Sequence, residues 1–125
     1  MKIAVITGSR DWSTYGDIAN DLKTFDPDLV VHGNCPRGAD RMAEDWAKAN
    51  GINIRHFNAN WKYDGKRAGM LRNGEMISWA SNMAAGKHQI KVFAYRLNSS
   101  PGTSDCIRKS KQYNLETVIR DMVSK

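Results

Sequence analysis

Val92-Phe93-Ala94-Tyr95 leads through a polar bend into Ser99-Ser100-Pro101-Gly102-Thr103-Ser104-Asp105, and this passage from strand to helix decides the fold. The four apolar residues have the composition of a buried strand, and the segment after them opens a helix. Gly102 is expected to let the backbone turn tightly. The helix start behind it offers N–H groups with no partner inside the helix, a place for an anion and most often for a phosphate. Gly102, Thr103 and Ser104 are therefore candidate ligand residues. Thr103 or Ser104 can also serve as the helix N-cap, and the two roles are compatible. Arg72, in an earlier helical segment, is the candidate for the matching positive charge.

Outward from this passage the same unit recurs. Residues 2–7 are nearly all apolar, as in a strand covered on both faces. Gly8-Ser9-Arg10-Asp11-Trp12 reads as a loop. A helix is expected over 15–25, with Ile18, Ala19, Leu22 and Phe25 on one face and Pro27 as its stop. Leu29-Val30-Val31-His32 is a second strand and Gly33 to Gly38 a second glycine loop. A helix over 39–50 follows, striped by Met42, Ala43, Trp46 and Ala47 and ended at Asn50-Gly51. A third strand is expected over 52–57, a long polar loop over 58–66 and a helix over 68–84. The fourth strand spans 91–96, and a helix is expected over 104–113. Leu115 to Ile119 reads as a last strand because Thr117, Val118 and Ile119 are β-branched and Asn114 breaks the preceding helix.

Alternating strands and helices imply an α/β domain, a mostly parallel sheet of four to five strands between two helical layers. The 125 residues make one domain. Ligands in such Rossmann-like, three-layer folds sit beyond the carboxyl ends of the strands, where the glycine loops lie.

Composition bounds the function. Hydrophobic residues make up 41% and charged residues 26%, an ordinary globular balance. No apolar run has the length of a membrane span, and the N-terminus lacks the pattern of a signal peptide, so a cytoplasmic location without a membrane partner is expected. The net charge of +6 favours anionic partners: nucleotides, phosphorylated metabolites or nucleic acid. Basic residues gather around 62–72 and 108–111. Cys35 and Cys106 form no framework, and His32, His56 and His88 stand apart in sequence, so no metal site and no cofactor are expected.

Each loop has two readings. In the first, Gly8 permits close approach, Ser9 can donate a hydrogen bond and Arg10 can fork onto a phosphate; otherwise it is a turn with a surface arginine. The second, Gly33-Asn34-Cys35-Pro36-Arg37-Gly38-Ala39-Asp40, is neither a dinucleotide fingerprint nor a Walker loop. Gly33, Arg37 and Gly38 are candidate ligand residues there. Asp40 either favours the helix start or accepts from a ribose hydroxyl, with the helix role the commoner. In the third, Trp61 and Tyr63 alternate with Lys62, Lys66 and Arg67, which suits stacking on a base or packing over a sheet edge.

Taken together, Gly8-Ser9-Arg10-Asp11, His32-Gly33 through Gly38-Ala39-Asp40, Trp46-Ala47, Arg72-Asn73 with Met76, and Pro101-Gly102-Thr103 resemble the SLOG superfamily. This group of Rossmann-like domains includes the LOG phosphoribohydrolases and the DNA-processing Smf/DprA proteins, and the nearest likeness is to the YspA-like branch, short proteins common in bacteria and phages. The resemblance implies a nucleotide-type ligand at the carboxyl edge of the sheet. The LOG enzymes cleave the N-glycosidic bond of nucleoside 5′-monophosphates with a Pro-Gly-Gly-x-Gly-Thr-x-x-Glu motif. Here that motif is shortened, and the glutamate position falls on Cys106.

A thiol neither stabilises an oxocarbenium-like charge nor activates water as a carboxylate does. The favoured reading is thus a nucleotide-binding sensor or carrier. A phosphoribohydrolase using Arg72 and Asp105 is the alternative, and a nucleic-acid-binding module ranks third. The apolar helix over 68–84, with Met70, Met76, Ile77, Trp79, Ala80 and Met83, is either core or the face of a homodimer.

Overall fold

The computed structural model describes residues 1–123. Five strands form one sheet: β1 (Lys2–Gly8), β2 (Leu29–His32), β3 (Asn53–His56), β4 (Gln89–Leu97) and β5 (Glu116–Met122). Their order is β3-β2-β1-β4-β5, and every neighbouring pair runs parallel. Between them lie α1 (Tyr15–Phe25), α2 (Ala39–Ala49), the four-residue α3 (Trp61–Asp64), α4 (Ala68–Ala85) and α5 (Pro101–Gln112). The α/β expectation and the last strand are as the sequence implies.

The alternation of side chains along β1 sorts the core into two layers. Ala4 and Ile6 join Ile18, Leu22 and Phe25 of α1, Ala43 and Trp46 of α2, and Phe93 and Tyr95 of β4. Ile3 and Val5 face the other way, against Met76, Ile77 and Ala80 of α4 and Cys106 of α5. Helix α4 thus belongs to the core along this stripe, while Met70 and Leu71 at its start are exposed.

Several features differ from the sequence reading, and three bear on the site. Helix α5 begins at Pro101 rather than near Ser104. Proline suits a first helical position, because its missing N–H would have had no partner there. The tight bend is made by Asn98 and Ser99, at φ 52 and 54, so Gly102 is not the turn residue. The segment over 58–66 is not all loop: Asn60 accepts from the Tyr63 amide and caps α3, which runs through a short 3-10 turn at Gly65–Arg67 into α4.

Candidate functional site

The strand order reverses between β1 and β4, since β2 follows β1 on one side and β5 follows β4 on the other. A crevice opens beyond the carboxyl ends at such a point. It is occupied here by a cavity of about 950 Å³, walled by the segment after β1, the segment after β4 and the start of α4.

Serine 9 holds the first two walls together. Its amide donates to Tyr95 O at 2.9 Å, and its Oγ accepts from the Leu97 amide at 2.9 Å. Its carbonyl accepts from the Ala39 amide at 3.4 Å, which satisfies one donor at the start of α2. Gly38 makes this contact possible: it sits at φ 78, and a Cβ there would overlap the Ser9 carbonyl. A Cβ on Gly8 would overlap Ala39. These two glycines serve close packing of the segments after β1 and β2.

The start of α5 is different. No side chain caps it, and a Cβ on Gly102 would meet nothing within 4 Å. Gly102, Thr103 and Ser104 line the cavity. The space beside Gly102 is open, and the backbone donors of a first helical turn have no partner inside their own helix, the combination an anion site needs. Arg10, Lys66, Arg72 and Arg108 line the same cavity.

Arginine 72 is fixed rather than free. Nη1 donates to the Gly33 carbonyl, and Nε donates to Asn73 Oδ1 at 3.0 Å. Asn73, only 4% exposed, turns its Nδ2 to Gly102 O at 3.2 Å and to Asp105 Oδ2 at 3.3 Å. Gly33 is needed for this approach, because a Cβ there would meet the guanidinium of Arg72 at 2.7 Å. Arg72, Asn73 and Gly102 thus form one linked wall. In the sequence Asn73 stands out only as part of the family resemblance; a polar amide beside Arg72 on a largely apolar helix is the signal for its role.

Other candidates fall differently. Arg37 is largely exposed and pairs with Asp11 at 3.3 Å, off the cavity wall. Gly38 lies beneath the wall rather than on it. Asp105 lines the cavity, but its oxygens hold Arg108 at 2.6 Å and Lys109 at 2.7 Å. Cys106 is fully buried off the wall, and burial pushes its thiol up to about 12. Trp61, half-exposed, lines the mouth with the Arg10 guanidinium 5.9 Å from its ring centre.

Asp40 is not the N-cap of α2. The cap position is Gly38, without a side-chain bond, and Asp40 is 3% exposed in the first turn. Its Oδ2 accepts from the Cys35 amide at 3.3 Å. Its Oδ1 is buried and has no hydrogen-bond partner. Burial raises its carboxyl above the usual range, against the opposing pull of His32 and Arg72.

Residues 1–63 match the model of the YspA, cpYpsA-related SLOG family. The chain is also similar to the gene 61 protein of Mycobacterium phage D29, 31% identical over 127 residues that cover 94% of this chain and 95% of that protein. The chain belongs to the YspA, cpYpsA-related SLOG family. Membership in this SLOG family goes with nucleotide-related binding or processing, and the crevice lies at the switch point of the sheet, where open α/β folds in general take ligands. Among the described residues, no helix is long and apolar enough to cross a membrane.

His32 and His56, apart in sequence, come together in the fold with Glu44. The expectation of no cluster with metal-ligand chemistry is corrected for these two, while His88 stays by the N-terminus. β2 and β3 pair in register with His32 opposite His56. Both Nε2 atoms lie 3.2 Å from Glu44 Oε1, and the three ligand atoms lie within 4.8 Å of one another. Parallel register, invisible in sequence spacing, makes this cluster. Its hydrogen bonds suit a proton more than a metal ion. The Asn34 amide donates to His32 Nδ1 at 2.9 Å, which puts the ring proton on Nε2, facing Glu44. Arg41 and Lys48 already hold Glu44 Oε2, at 3.1 and 3.2 Å.

Proposed function

We propose that this domain binds a nucleotide-type ligand in the crevice between β1 and β4, its phosphate at the start of α5 and its base toward Trp61. The observation that carries this reading is the open first turn of α5, joined through Asn73 to the guanidinium of Arg72. Backbone donors and a fixed cation together favour a phosphate more than either does alone. Trp61 offers an aromatic face to a base at the mouth. The 950 Å³ cavity is the size of a small-molecule site.

Binding without hydrolysis is the favoured form. The carboxylate that a LOG-like cleavage needs falls on the buried thiol of Cys106, and the neighbouring Asp105 is held by two cations. A carboxylate whose oxygens are already taken up by two cations has little left with which to stabilise a new positive charge. The role is then that of a sensor or carrier. Native mass spectrometry of the purified chain with AMP, GMP, NAD and ADP-ribose tests it. An intact nucleotide retained on the protein supports the reading. Release of free base and ribose 5-phosphate would replace it with the phosphoribohydrolase alternative.

A further inference from the structure

We infer that Asp40 is the sugar-reading residue of this site: its unpartnered Oδ1 takes a hydrogen bond from a ribose hydroxyl, so the domain selects ribonucleotides over their deoxy forms. The inference rests on the nucleotide reading above and names the part of the ligand that Asp40 recognises.

Three observations carry it. Asp40 lines the cavity yet is 3% exposed. Its Oδ2 is anchored by the Cys35 amide, so the carboxyl is held in one orientation. Its Oδ1 is buried with no partner. A buried polar atom without a partner costs stability, and in folded proteins such atoms are rare. A carboxyl kept in that condition on the wall of a cavity is matched to a group the ligand brings.

The class of that group follows from charge. His32 on β2, Cys35 in the following loop, Arg72 on α4 and the buried Cys106 on α5 are titratable groups that face Asp40. Arg72 belongs to the wall that carries the anion site, so a phosphate sits toward it. A carboxylate repels a second phosphate, whereas a hydroxyl donates to it at no electrostatic cost. The hydroxyls of a nucleotide lie on the sugar, between phosphate and base. Asp40 stands on α2, apart from the α5 turn proposed for the phosphate and the α3 indole proposed for the base.

Isothermal titration calorimetry of the full chain with AMP and GMP, and with their 2′-deoxy and 3′-deoxy forms, tests this. The unaltered chain is expected to bind a ribonucleotide at least about tenfold more tightly than one of its deoxy forms. Asp40→Asn is expected to bind the ribonucleotide at least about tenfold more weakly and to lose that preference. Its melting temperature is expected to stay or rise, because an ionisable carboxyl leaves a buried place. A merely structural Asp40 would give the opposite melting change. Equal affinity of the unaltered chain for all forms overturns the inference, without need of any variant. So does an Asp40→Asn protein that keeps the preference. If nucleotides bind without regard to the sugar, the nucleotide reading stands and only this inference falls. If none of AMP, GMP, NAD or ADP-ribose binds, both fall.

Discussion

Asn73 on α4 donates to the Gly102 carbonyl on α5 at 3.2 Å, and so ties the helix that carries Arg72 to the turn proposed for the phosphate. The same side chain accepts from Arg72 and donates to Asp105. Asn73→Ala removes all of these bonds inside a buried wall. It is expected to cost about 1–3 kcal/mol of stability, the range for leaving buried polar partners unpaired. AMP affinity is expected to fall as well, because Arg72 loses one of its two anchors. Urea unfolding and calorimetry on the same protein check both. Unchanged stability would mean that the network does not hold the wall.

Gly102→Val separates binding from folding. The added side chain enters space with nothing within 4 Å, so the fold has no steric reason to respond. It does add bulk to a residue that lines the cavity beside the proposed phosphate turn. The expected outcome is a melting temperature within a few degrees of the parent and a loss of nucleotide binding of about tenfold or more. Arg72→Ala is expected to lose binding too, with some loss of stability, since its guanidinium also anchors Gly33. A Gly102→Val protein that binds normally would remove the α5 turn from the site.

The fold was readable because the central strands are apolar, as in Ile3 to Ile6, Leu29 to Val31 and Val92 to Tyr95, and the longer helices keep a stripe such as Ile18, Leu22 and Phe25; β3 and β5, at the sheet edges, are more polar and exposed. The strand order was less accessible, since it depends on which face each crossover helix covers. The site was readable in part. Gly8, Gly33, Arg72 and Gly102 all reach the cavity; Gly8 and Gly33 are marked by their place at a strand end, and Gly102 by its place at a helix start. The roles of the glycines were not readable. Whether a glycine bends the chain, admits a neighbour or leaves room for a ligand depends on what lies opposite it in space. Gly38 admits Ser9, Gly33 admits Arg72 and Gly102 leaves room. The same holds for Asp40, whose sequence position suggested a cap and whose side chain turns to Cys35 instead.

Gly38→Ala tests the packing role. At φ 78 an L-residue is strained, and the new Cβ would press on the Ser9 carbonyl and Arg10 backbone. Neither is a flexible side-chain end. The expected cost is about 2 kcal/mol or more. Gly51→Ala is the control: it shares a positive φ of 67 but has nothing within 4 Å, so it shows the conformational part alone. Chemical denaturation of both should place Gly38→Ala clearly below Gly51→Ala. Equal losses would mean that the Ser9 contact is unimportant.

The His32–Glu44 pair sets a pH dependence whose sign can be worked out. Burial lowers the affinity of His32 for a proton, and the nearby His56 works the same way, against the opposing pull of Asp40 and Glu44. The Asn34 amide also occupies Nδ1, so protonation there breaks a bond. The folded pKa therefore lies below the unfolded value of about 6.5. As pH falls, the unfolded chain takes the proton first. Stability from this group is full above about pH 6.5 and declines below it, with a limiting slope of about 1.4 kcal/mol per pH unit. Glu44 acts lower: burial works to raise it, but Lys48 and His32 outweigh burial and hold it below the usual range. Asp40 slopes the other way, because its raised carboxyl makes the folded state the stronger proton binder. The measurement is therefore made in an Asp40→Asn background, with and without His32→Gln. Urea unfolding from pH 8 to pH 5 should show falling stability in the first protein. The second should be flatter, since glutamine carries no titrating ring. Parallel curves would show that His32 takes its proton equally well folded and unfolded, and that the bond from Asn34 does not hold its tautomer.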